Sequence, residues 1–291
     1  MEYRKLGRSG PAVSEIAFGN LVDAACVRAA IEEGVTTFLT DGLALDALAE
    51  GIAGTPRDEL ILCGSAVSVH DILRGLGTDH LDVVTVPRPD AETAVEEILG
   101  APADLVRQGS VRHVALAEWT PEQIAEAATF DVPIVAAQAY YSMLWRVPET
   151  QSMAAAERAG LGHIACAPLD HGLLTGKYND GAVPDGSRAQ LPDAAGEQVR
   201  RMLRAEVLDR VELLAGVAAL AGLTPAQLAV AWVLQNEIVT AAVVGATSPA
   251  QVRENCAASG TALELDTLIQ VDSLLGTAIQ TDPRLTGAPR L

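Results

Sequence analysis

Eight short runs rich in β-branched residues alternate with longer Ala-, Leu- and Glu-rich segments of helical spacing, and this alternation restricts the fold more than any other feature. The runs predicted to be strands are residues 15–18, 35–39, 59–63, 81–86, 111–116, 133–138, 163–167 and 240–245. Such a rhythm is typical of parallel β/α architecture. Eight strand-helix units in 291 residues predict an α/β fold of the (β/α)8 TIM barrel type.

The segments between the strands carry recognisable helix signals. One of them begins with Thr120 as an N-cap, Pro121 at the first helical position and Glu122 in the first turn. At the start of the chain, residues 1–19 have the pattern of a hairpin followed by a strand. This hairpin is predicted to cap the bottom of the barrel.

A doubly wound parallel sheet is the alternative fold. No G-x-G-x-x-G pattern follows any strand, which argues against a dinucleotide-binding domain of that type. Since no linker, low-complexity tract or further repeat interrupts the chain, residues 1–291 are predicted to form a single domain. Residues 178–196, rich in Pro, Gly and Asp, are predicted to form a long surface loop over the barrel top.

Composition limits the function classes. Hydrophobic residues make up 49% of the chain but aromatic residues only 3%, so the core is predicted to consist of Ala, Val and Leu. The net charge is −18, from 20 basic and 38 acidic residues. A field of that sign repels phosphate backbones and anionic lipids, and we therefore expect neither nucleic acid nor membrane partners.

The absence of membrane-spanning, signal and cysteine motifs predicts the cellular location and the lack of a metal site. No segment approaches the ~18 uninterrupted apolar residues of a membrane span, and the N-terminus has no apolar signal region, which predicts a cytoplasmic protein. The four cysteines are far apart in sequence, with no C-x-x-C pair, so neither a disulfide framework nor a metal site is predicted. They are Cys26, Cys63, Cys166 and Cys256.

Several segments together resemble the aldo-keto reductases, in the same order along the chain from about residue 2 to about residue 275. They are residues 1–19, 76–90, 105–120, 167–178 and 224–258. The resemblance implies the family's barrel, with an N-terminal hairpin cap. It also implies hydride transfer between NADP(H) and a carbonyl, with a tyrosine acid assisted by a lysine, an aspartate and a histidine.

The four catalytic groups of that family are not found at the corresponding positions of this chain. Leu39 stands where the aspartate is expected, Ser65 where the lysine is expected and Pro87 where the histidine is expected. Too few residues follow Thr40 to hold the tyrosine segment. The loops after the first three strands are also predicted to be short, which would open the pocket to a bulkier ligand.

The cofactor positions implied by the resemblance are only partly retained. Ala117 and Glu118 replace a Ser-Asn pair at the nicotinamide end, and Cys166 replaces the stacking tyrosine, whereas Gln138 is kept. The adenosine end keeps Gly245, Gln251, Glu254 and Asn255, with Thr247 in place of an arginine. We therefore expect no cofactor or only weak residual NAD(P)(H) binding. The retained residues are alternatively structural, since Ser248 and Pro249 can simply begin a helix.

The remaining polar and aromatic residues just after the strands are the candidate site, because catalysis in barrels lies at the carboxyl ends of the strands. The candidate catalytic residues are Glu118, Asp170, His171 and Tyr140. The candidate substrate-binding residues are Trp119, Tyr141, Trp145, Arg88, Asp41 and Cys166. Each has a structural alternative: Glu118 and His171 can be solvated, Asp41 a turn residue, Tyr141 a packing residue and Arg88 an ion-pair partner.

Three functions remain open from the sequence. The leading hypothesis is a repurposed enzyme that performs non-redox acid-base chemistry on a small carbonyl-containing metabolite, as a dehydratase, cyclase, isomerase or lyase does. The second is an NAD(P)H-dependent oxidoreductase with an atypical proton donor. The third is a non-catalytic protein that binds a nucleotide or a partner. Substrate identity, reaction direction and oligomeric state are not predicted.

Overall fold

The computed structural model describes residues 1–42, 44–90, 92–192 and 194–286. Within them, eight parallel strands close into a barrel in the order β10-β3-β4-β5-β6-β7-β8-β9. The barrel strands are β3 (Ile16–Leu21), β4 (Thr37–Leu39), β5 (Ile61–Ser65), β6 (Leu81–Pro87), β7 (Val111–Ala117), β8 (Ile134–Tyr140), β9 (Gly162–Cys166) and β10 (Val239–Ala246). The predicted TIM barrel is confirmed, and each predicted strand overlaps one barrel strand.

The N-terminal hairpin consists of β1 (Tyr3–Lys5) and β2 (Ala12–Ser14), which pair antiparallel. Leu6, in the hairpin turn, and Val13 are buried together with Val135 and other side chains from inside the barrel. The hairpin therefore closes the amino-terminal end of the barrel, as predicted. The opposite end, where the strands finish, remains available for a site.

Helices surround the barrel and connect its strands. The described residues form α1 (Ala24–Glu32), α2 (Leu45–Gly51), α3 (Val69–Leu76), α4 (Val95–Arg107), α5 (Pro121–Ala127), α6 (Val147–Thr150), α7 (Ser152–Ala159), α8 (Ala194–Met202), α9 (Ala205–Leu220), α10 (Pro225–Leu234), α11 (Pro249–Cys256) and α12 (Leu265–Leu275).

Among the helices whose N-caps the structure describes, α5 and α10 begin with a capping box. At α5 the Thr120 hydroxyl accepts a hydrogen bond from the backbone N–H of Gln123, and the Gln123 side chain accepts one from the backbone N–H of Thr120. Thr224 and Gln227 repeat this arrangement at α10. A capping box satisfies two of the unpaired N–H groups of a first turn, and a proline at the first position adds a fixed φ. The N-cap predicted at Thr120 is confirmed.

The core has the composition that the sequence predicted. Inside the barrel the buried side chains are mostly small or aliphatic, for example Ala17, Ala115, Ala136 and Ile164. A second, larger layer of Val, Leu and Ile lies between the strands and the surrounding helices. Small inward residues let the barrel close tightly, so the site must lie at its rim rather than in its middle.

The connections after the first three barrel strands are short. Only residues 22–23 separate β3 from α1, and only residues 66–68 separate β5 from α3. The predicted long loop, residues 178–196, is less irregular than expected, because it contains a 3₁₀ turn at Arg188–Gln190 and the beginning of α8. It nevertheless lies beside the end of β9, where it contributes to the candidate site.

One finding concerns membrane association. In the part of the chain that the structure describes, no single helix has the length and apolar composition needed to cross a membrane. By length and composition, α9 and α10 meet the requirement only as a pair, and they are bent by 83° at the break between them.

Candidate active site

Two predicted catalytic residues meet at the carboxyl ends of neighbouring strands. Tyr140 is the last residue of β8, and Asp170 begins the 3₁₀ turn Asp170–Thr175 that follows β9. The hydroxyl of Tyr140 donates a hydrogen bond to Oδ1 of Asp170. Tyr140 is 4% exposed and Asp170 1% exposed. The structure thus brings a phenol and a carboxyl group together in a buried setting.

Burial controls the protonation of this pair. Loss of hydration raises the pKa of Asp170 to about 7, although the hydrogen bond from Tyr140 opposes the shift. Burial, and then the charge of Asp170, raise the pKa of Tyr140 well above its usual range. The second carboxyl oxygen of Asp170, Oδ2, is buried without a partner in the described part of the chain. The pair can therefore give or take a proton near neutral pH.

His171 lies beside the pair but holds no charge at neutral pH. Its ring centroid is 5.4 Å from that of Tyr140, and its Nδ1 accepts a hydrogen bond of 2.8 Å from Nη1 of Arg188. Burial lowers the pKa of His171 to about 4, and the charges of Arg188 and Lys177 add to the effect. Because a guanidinium only donates, the imidazole proton must be on Nε2. His171 is consequently a neutral side chain beside the ring of Tyr140, and it is not among the described residues that line the cavity next to Asp170.

Arg188 is a site residue that sequence reasoning missed. Its positive charge lowers the pKa of Tyr140, against the larger effects of burial and Asp170. It comes from the segment that was predicted only as a surface loop, where no periodicity or motif marks it. The scarcity of lysine in the chain was a signal that an arginine must supply any cation near the phenol.

Backbone strain is concentrated at this rim. Among the described residues other than glycine, four have a positive φ: Glu118 (60°), Ala167 (57°), Asp170 (51°) and His171 (56°). Glu118 and Ala167 directly follow β7 and β9, and Asp170 and His171 lie in the 3₁₀ turn after β9. A left-handed backbone is costly for residues with a side chain, by roughly 1 kcal/mol or more each, and such residues are enriched at functional sites.

Glu118, another predicted catalytic residue, holds the backbone of the strand that carries Tyr140. Its Oε1 accepts a hydrogen bond of 2.6 Å from the backbone N–H of Tyr140, and its own N–H donates to the carbonyl of Gln138 at 2.8 Å. Glu118 does not line the cavity beside Asp170. Its contacts therefore favour a positioning role over direct proton transfer.

A cavity of about 610 Å³ opens beside the Tyr140–Asp170 pair. Its wall is largely apolar and includes Leu144, Leu173, Val207 and Ile279. Trp145, a predicted substrate-binding residue, also lines it and packs edge-on against the ring of Tyr140, with 5.9 Å between centroids and 86° between planes. The volume is in the range of small-molecule sites.

The chain segment after α12 closes one side of this cavity. The backbone N–H of Gln280 donates to the carbonyl of Leu144 at 2.7 Å, and the N–H of Arg146 donates to the carbonyl of Gln280 at 2.8 Å. These bonds hold residues 277–280 against the loop after β8. Sequence reasoning missed this segment, because the contact joins parts of the chain that are far apart in sequence.

Three predicted substrate-binding residues lie away from this cavity. Trp119 is buried and its Nε1–H donates to the carbonyl of Val86 at 3.0 Å. The Tyr141 hydroxyl donates to Glu149 at 2.5 Å, and its ring packs on Trp232. Nη1 of Arg88 donates to the carbonyl of Thr286 at 2.6 Å. None of the three is among the described residues that line the cavity.

The remaining predicted residues lie around the barrel mouth. Oδ1 of Asp41 accepts a hydrogen bond of 2.7 Å from the backbone N–H of Ser65. Oε1 of Gln138 accepts one of 3.3 Å from the hydroxyl of Thr85. Cys166, at the end of β9, is half-buried, and burial raises the pKa of its thiol to about 12. The thiol is therefore protonated at neutral pH and is a poor nucleophile.

The ends of β4, β5 and β6 carry no ionisable side chain. Leu39, Ser65 and Pro87 are the last residues of these strands. They are the positions at which the resemblance to the aldo-keto reductases implies an aspartate, a lysine and a histidine. That these residues replace a catalytic set stays an interpretation of the sequence.

At the start of α11 some polar side chains hold the local structure, and others are exposed and can contact a ligand. Oγ of Ser248 caps the helix by accepting from the N–H of Gln251, and Nδ2 of Asn255 donates to the carbonyl of Gly245 at 3.2 Å. The Thr247 N–H and hydroxyl both donate to Oε1 of Gln251, at 2.8 and 3.0 Å. Asn255 is buried, whereas Thr247 and Gln251 are exposed. Glu254 is half-buried, and its carbonyl accepts from Gln227.

The loop after β9 holds several buried polar atoms that have no partner in the described part of the chain. They are Nε2 of His171, the hydroxyl of Tyr178, Oδ1 of Asn179 and Oγ of Ser187. Because β9 and β10 are neighbours in the barrel, this loop and the start of α11 follow adjacent strand ends. Unsatisfied buried polar atoms are costly, and a polar ligand can satisfy them.

Comparison with known proteins places these features in context. The sequence model of the aldo/keto reductase family matches residues 65–275. A protein of Oryza sativa subsp. japonica named as a probable voltage-gated potassium channel subunit beta is 31% identical over all of both chains. A protein of the same name from Arabidopsis thaliana is 30% identical over 88% of this chain and 90% of the relative. An L-glyceraldehyde 3-phosphate reductase of Escherichia coli O157:H7 is 31% identical over 70% of this chain and 61% of the relative.

These matches correct one expectation. The replaced side chains at the nicotinamide end predicted no cofactor or only weak residual NAD(P)(H) binding, and this prediction was wrong. The match to a reductase family and to a relative named as a reductase points to a nicotinamide cofactor. The expectation gave too much weight to replaced side chains at the nicotinamide end. The residues present fit a nicotinamide cofactor. The amide of Gln138 lies at the barrel mouth, Thr247 and Gln251 are exposed at the start of α11, and the loop after β9 holds buried polar atoms without a partner in the described chain.

Proposed function

Because this chain belongs to the aldo/keto reductase family, we propose that it is a nicotinamide-dependent oxidoreductase acting on a small carbonyl compound or the corresponding alcohol, with Tyr140 and Asp170 as its proton-transfer pair. The observation that carries the proposal is the buried hydrogen bond between these two side chains at the wall of the cavity. A small substrate is supported by the relative named as a reductase of L-glyceraldehyde 3-phosphate.

The cofactor would be held at two places. Gln138 would bind the carboxamide at the barrel mouth, and Thr247 and Gln251 would contact the adenosine end at the start of α11. The partial positive charge of the α11 N-terminus favours a phosphate nearby. When bound, the nicotinamide supplies or accepts the hydride.

The protein's own contribution to reduction is a proton. Hydride arriving at a carbonyl carbon leaves negative charge on the oxygen, and that oxygen must be protonated. Tyr140 would give its hydroxyl proton to this oxygen, and protonated Asp170 would reprotonate the phenol oxygen. For this transfer the hydrogen bond runs from the carboxyl group to the phenol oxygen, the reverse of its direction in the structure. The raised pKa of Asp170 keeps a large share of that carboxyl protonated at neutral pH. Alcohol oxidation runs the same transfers in reverse and needs ionised Asp170.

Neighbouring residues orient the pair. Glu118 fixes the backbone of Tyr140, and the edge of Trp145 limits the rotation of the phenol ring. Neutral His171 supplies an apolar face without adding a charge that would compete for the proton. Burial of the pair excludes water, which strengthens each electrostatic interaction in the site.

The experiment is a turnover assay that follows NADPH and NADH oxidation with a panel of aldehydes and ketones, alongside calorimetric titration of each cofactor. We expect both cofactor binding and turnover in the unmodified protein. Tyr140→Phe should reduce turnover about 10²-fold or more with little change in cofactor affinity. Tyr3→Phe, at the opposite end of the barrel, is the matched control. A Tyr140→Phe variant as active as Tyr3→Phe would exclude Tyr140 as the proton donor.

A second candidate function is non-redox acid-base chemistry by the same pair on a carbonyl compound. The observation that favours it is the uncharged set Leu39, Ser65 and Pro87 at three strand ends, since proton transfer by Tyr140 and Asp170 does not itself require hydride transfer. Proton exchange next to the carbonyl, followed by NMR in D₂O without nicotinamide, separates the two. Exchange that depends on Tyr140 without any cofactor oxidation would favour this second function. Neither activity, with ligand binding retained, would favour a binding protein.

A further inference from the structure

The cavity beside Tyr140 and Asp170 has a second polar region at α8 and α9. Arg201, on α8, and Arg204, just before α9, both line the cavity. Arg201 forms an ion pair of 2.5 Å with Glu197, which lines the cavity too. Arg204 has no ion-pair or hydrogen-bond partner for its side chain among the described residues. Two guanidinium groups against one carboxylate leave one net positive charge at this region.

The local backbone adds to that charge. Arg204 occupies the N-cap position of α9, a helix of 16 residues, and its side chain makes no capping hydrogen bond. The first turn of a helix carries a partial positive charge from its unpaired N–H groups. In a chain with a net charge of −18, a positive region on a cavity wall is unusual. A single net charge matches a monoanion better than a phosphate dianion.

Asp170, which lines the same cavity, offers a hydrogen-bond acceptor that is not satisfied. Oδ2 of Asp170 is buried and has no partner in the described part of the chain, while Oδ1 is occupied by Tyr140. A ligand hydroxyl can satisfy Oδ2, and a carbonyl oxygen can do so when Asp170 is protonated. The rest of the lining is largely apolar and includes Trp145, Leu173 and Ile279. The cavity lining thus combines two polar groups of residues with a largely apolar remainder.

We propose that this cavity binds an amphipathic monoanion: a carboxylate on Arg204, an aromatic or branched apolar body against Trp145, and a carbonyl or hydroxyl oxygen at Tyr140 and Asp170. The substrate class is therefore an oxo, formyl or hydroxy acid rather than a neutral aldehyde. The placement of the oxygen rests on the function proposed above. The carboxylate contact with Arg204 does not depend on it.

The test measures binding rather than turnover. Dissociation constants for para-formylbenzoate and para-formylphenylacetate, two spacings of the same groups, are compared by calorimetry with those of their neutral primary amides. The full chain is expected to bind at least one acid about threefold to tenfold more tightly than its amide, a range that spans an exposed ion pair and a charge-assisted hydrogen bond. Phenyl phosphate is the dianion comparison.

Three variants locate the effect. Arg204→Gln should remove the preference for the acid and leave amide binding unchanged, whereas Arg204→Lys should keep most of it. Arg112→Gln, an exposed arginine on β7, is the matched control and should behave as the unmodified protein. Because the Arg204 side chain is exposed and caps nothing, the variants should fold normally, as circular dichroism will check.

The outcomes separate this inference from the proposed function. Equal binding of acid and amide, a preference that survives in Arg204→Gln, tighter binding of phenyl phosphate, or binding of neither acid would each overturn it. If neutral aldehydes are reduced as well as the acids in a Tyr140-dependent way, the proposed function stands and this inference fails. If Tyr140→Phe keeps the acid preference while no variant or condition gives turnover, the carboxylate site stands and the proposed function fails.

Discussion

The phenol of Tyr140 donates a hydrogen bond to the carboxyl group of Asp170, and both side chains are buried where β8 and β9 end. A carboxyl group is rarely this deeply buried without a cation in direct contact, and here its partner is neutral. Because the pKa of Asp170 is raised to about 7, this carboxyl group is partly protonated near neutral pH, beside a cavity large enough for a small molecule. It has consequences for stability as well as for catalysis.

Replacing Asp170 by Asn is expected to change how stability depends on pH. The pKa of Asp170 is raised to about 7 in the folded protein, compared with about 4 in the unfolded chain. Binding of this proton therefore adds fully to the free energy of unfolding below about pH 4, and the addition is lost as pH rises through about 7. The unmodified protein should therefore lose stability relative to Asp170→Asn between about pH 5 and pH 8, by at most ~1.4 kcal/mol per unit of pKa shift. Urea unfolding at both pH values measures this, with exposed Asp209→Asn as the control. A pH-independent difference would show that Asp170 is ionised throughout.

Variants of Glu118 distinguish a positioning role of this side chain from a role in proton transfer. Glu118→Gln keeps a side-chain oxygen that can accept from the Tyr140 N–H, so we expect turnover to fall by less than about tenfold. Glu118→Ala removes the acceptor and should cost more, together with some stability. If Glu118 is instead the proton carrier, Glu118→Gln alone should lose about 10²-fold. Steady-state kcat for the two variants, with exposed Glu122→Gln as the control, distinguishes these roles.

His163 is expected to make the protein sensitive to acid. Both of its ring nitrogens are buried without a partner in the described chain, and burial lowers its pKa to about 4. The group has a depressed folded pKa, so stability present above about pH 6.5 should be lost as pH falls toward 4. His163→Leu should remove this loss and raise the free energy of unfolding by about 1–3 kcal/mol at neutral pH, because an unsatisfied polar group is eliminated. Thermal unfolding across this range measures it, with exposed His70→Asn as the control. A destabilised His163→Leu would mean that the imidazole is satisfied, for instance by a buried water.

Much of the fold could be predicted because its signals are local. Each barrel strand is a short apolar run between polar turns, and helix starts such as Thr120 carry their own caps. Strand ends were placed less accurately, as with β8, which extends to Tyr140 rather than stopping at Gln138. The extra residues are held by neighbouring strands, and Tyr140 pairs in register with Cys166. Such pairing depends on contacts that a single segment does not encode.

The candidate site could be predicted only in part, for a geometric reason. The rule that catalytic groups in barrels lie at strand ends predicted Tyr140 and Asp170 as site residues, and the structure brings them together, while their catalytic role stays a prediction. Side chains alternate along a strand, so Tyr140 faces the cavity and Tyr141 packs against the helices instead. Arg188 and Arg204 reach the site from segments far along the chain, and no spacing rule marks them.

The measurement that tests the account most directly is the pH profile of kcat for carbonyl reduction, compared between the unmodified protein and Asp170→Asn. With the unmodified protein, kcat should be constant at low pH and fall as pH rises through about 7, because the Tyr140–Asp170 pair then loses the proton it delivers. Asp170→Asn should be slower and lack that transition. An identical profile in both proteins, or a reduction rate that rises with pH through about 7, would contradict the assignment of this pair as the proton donor.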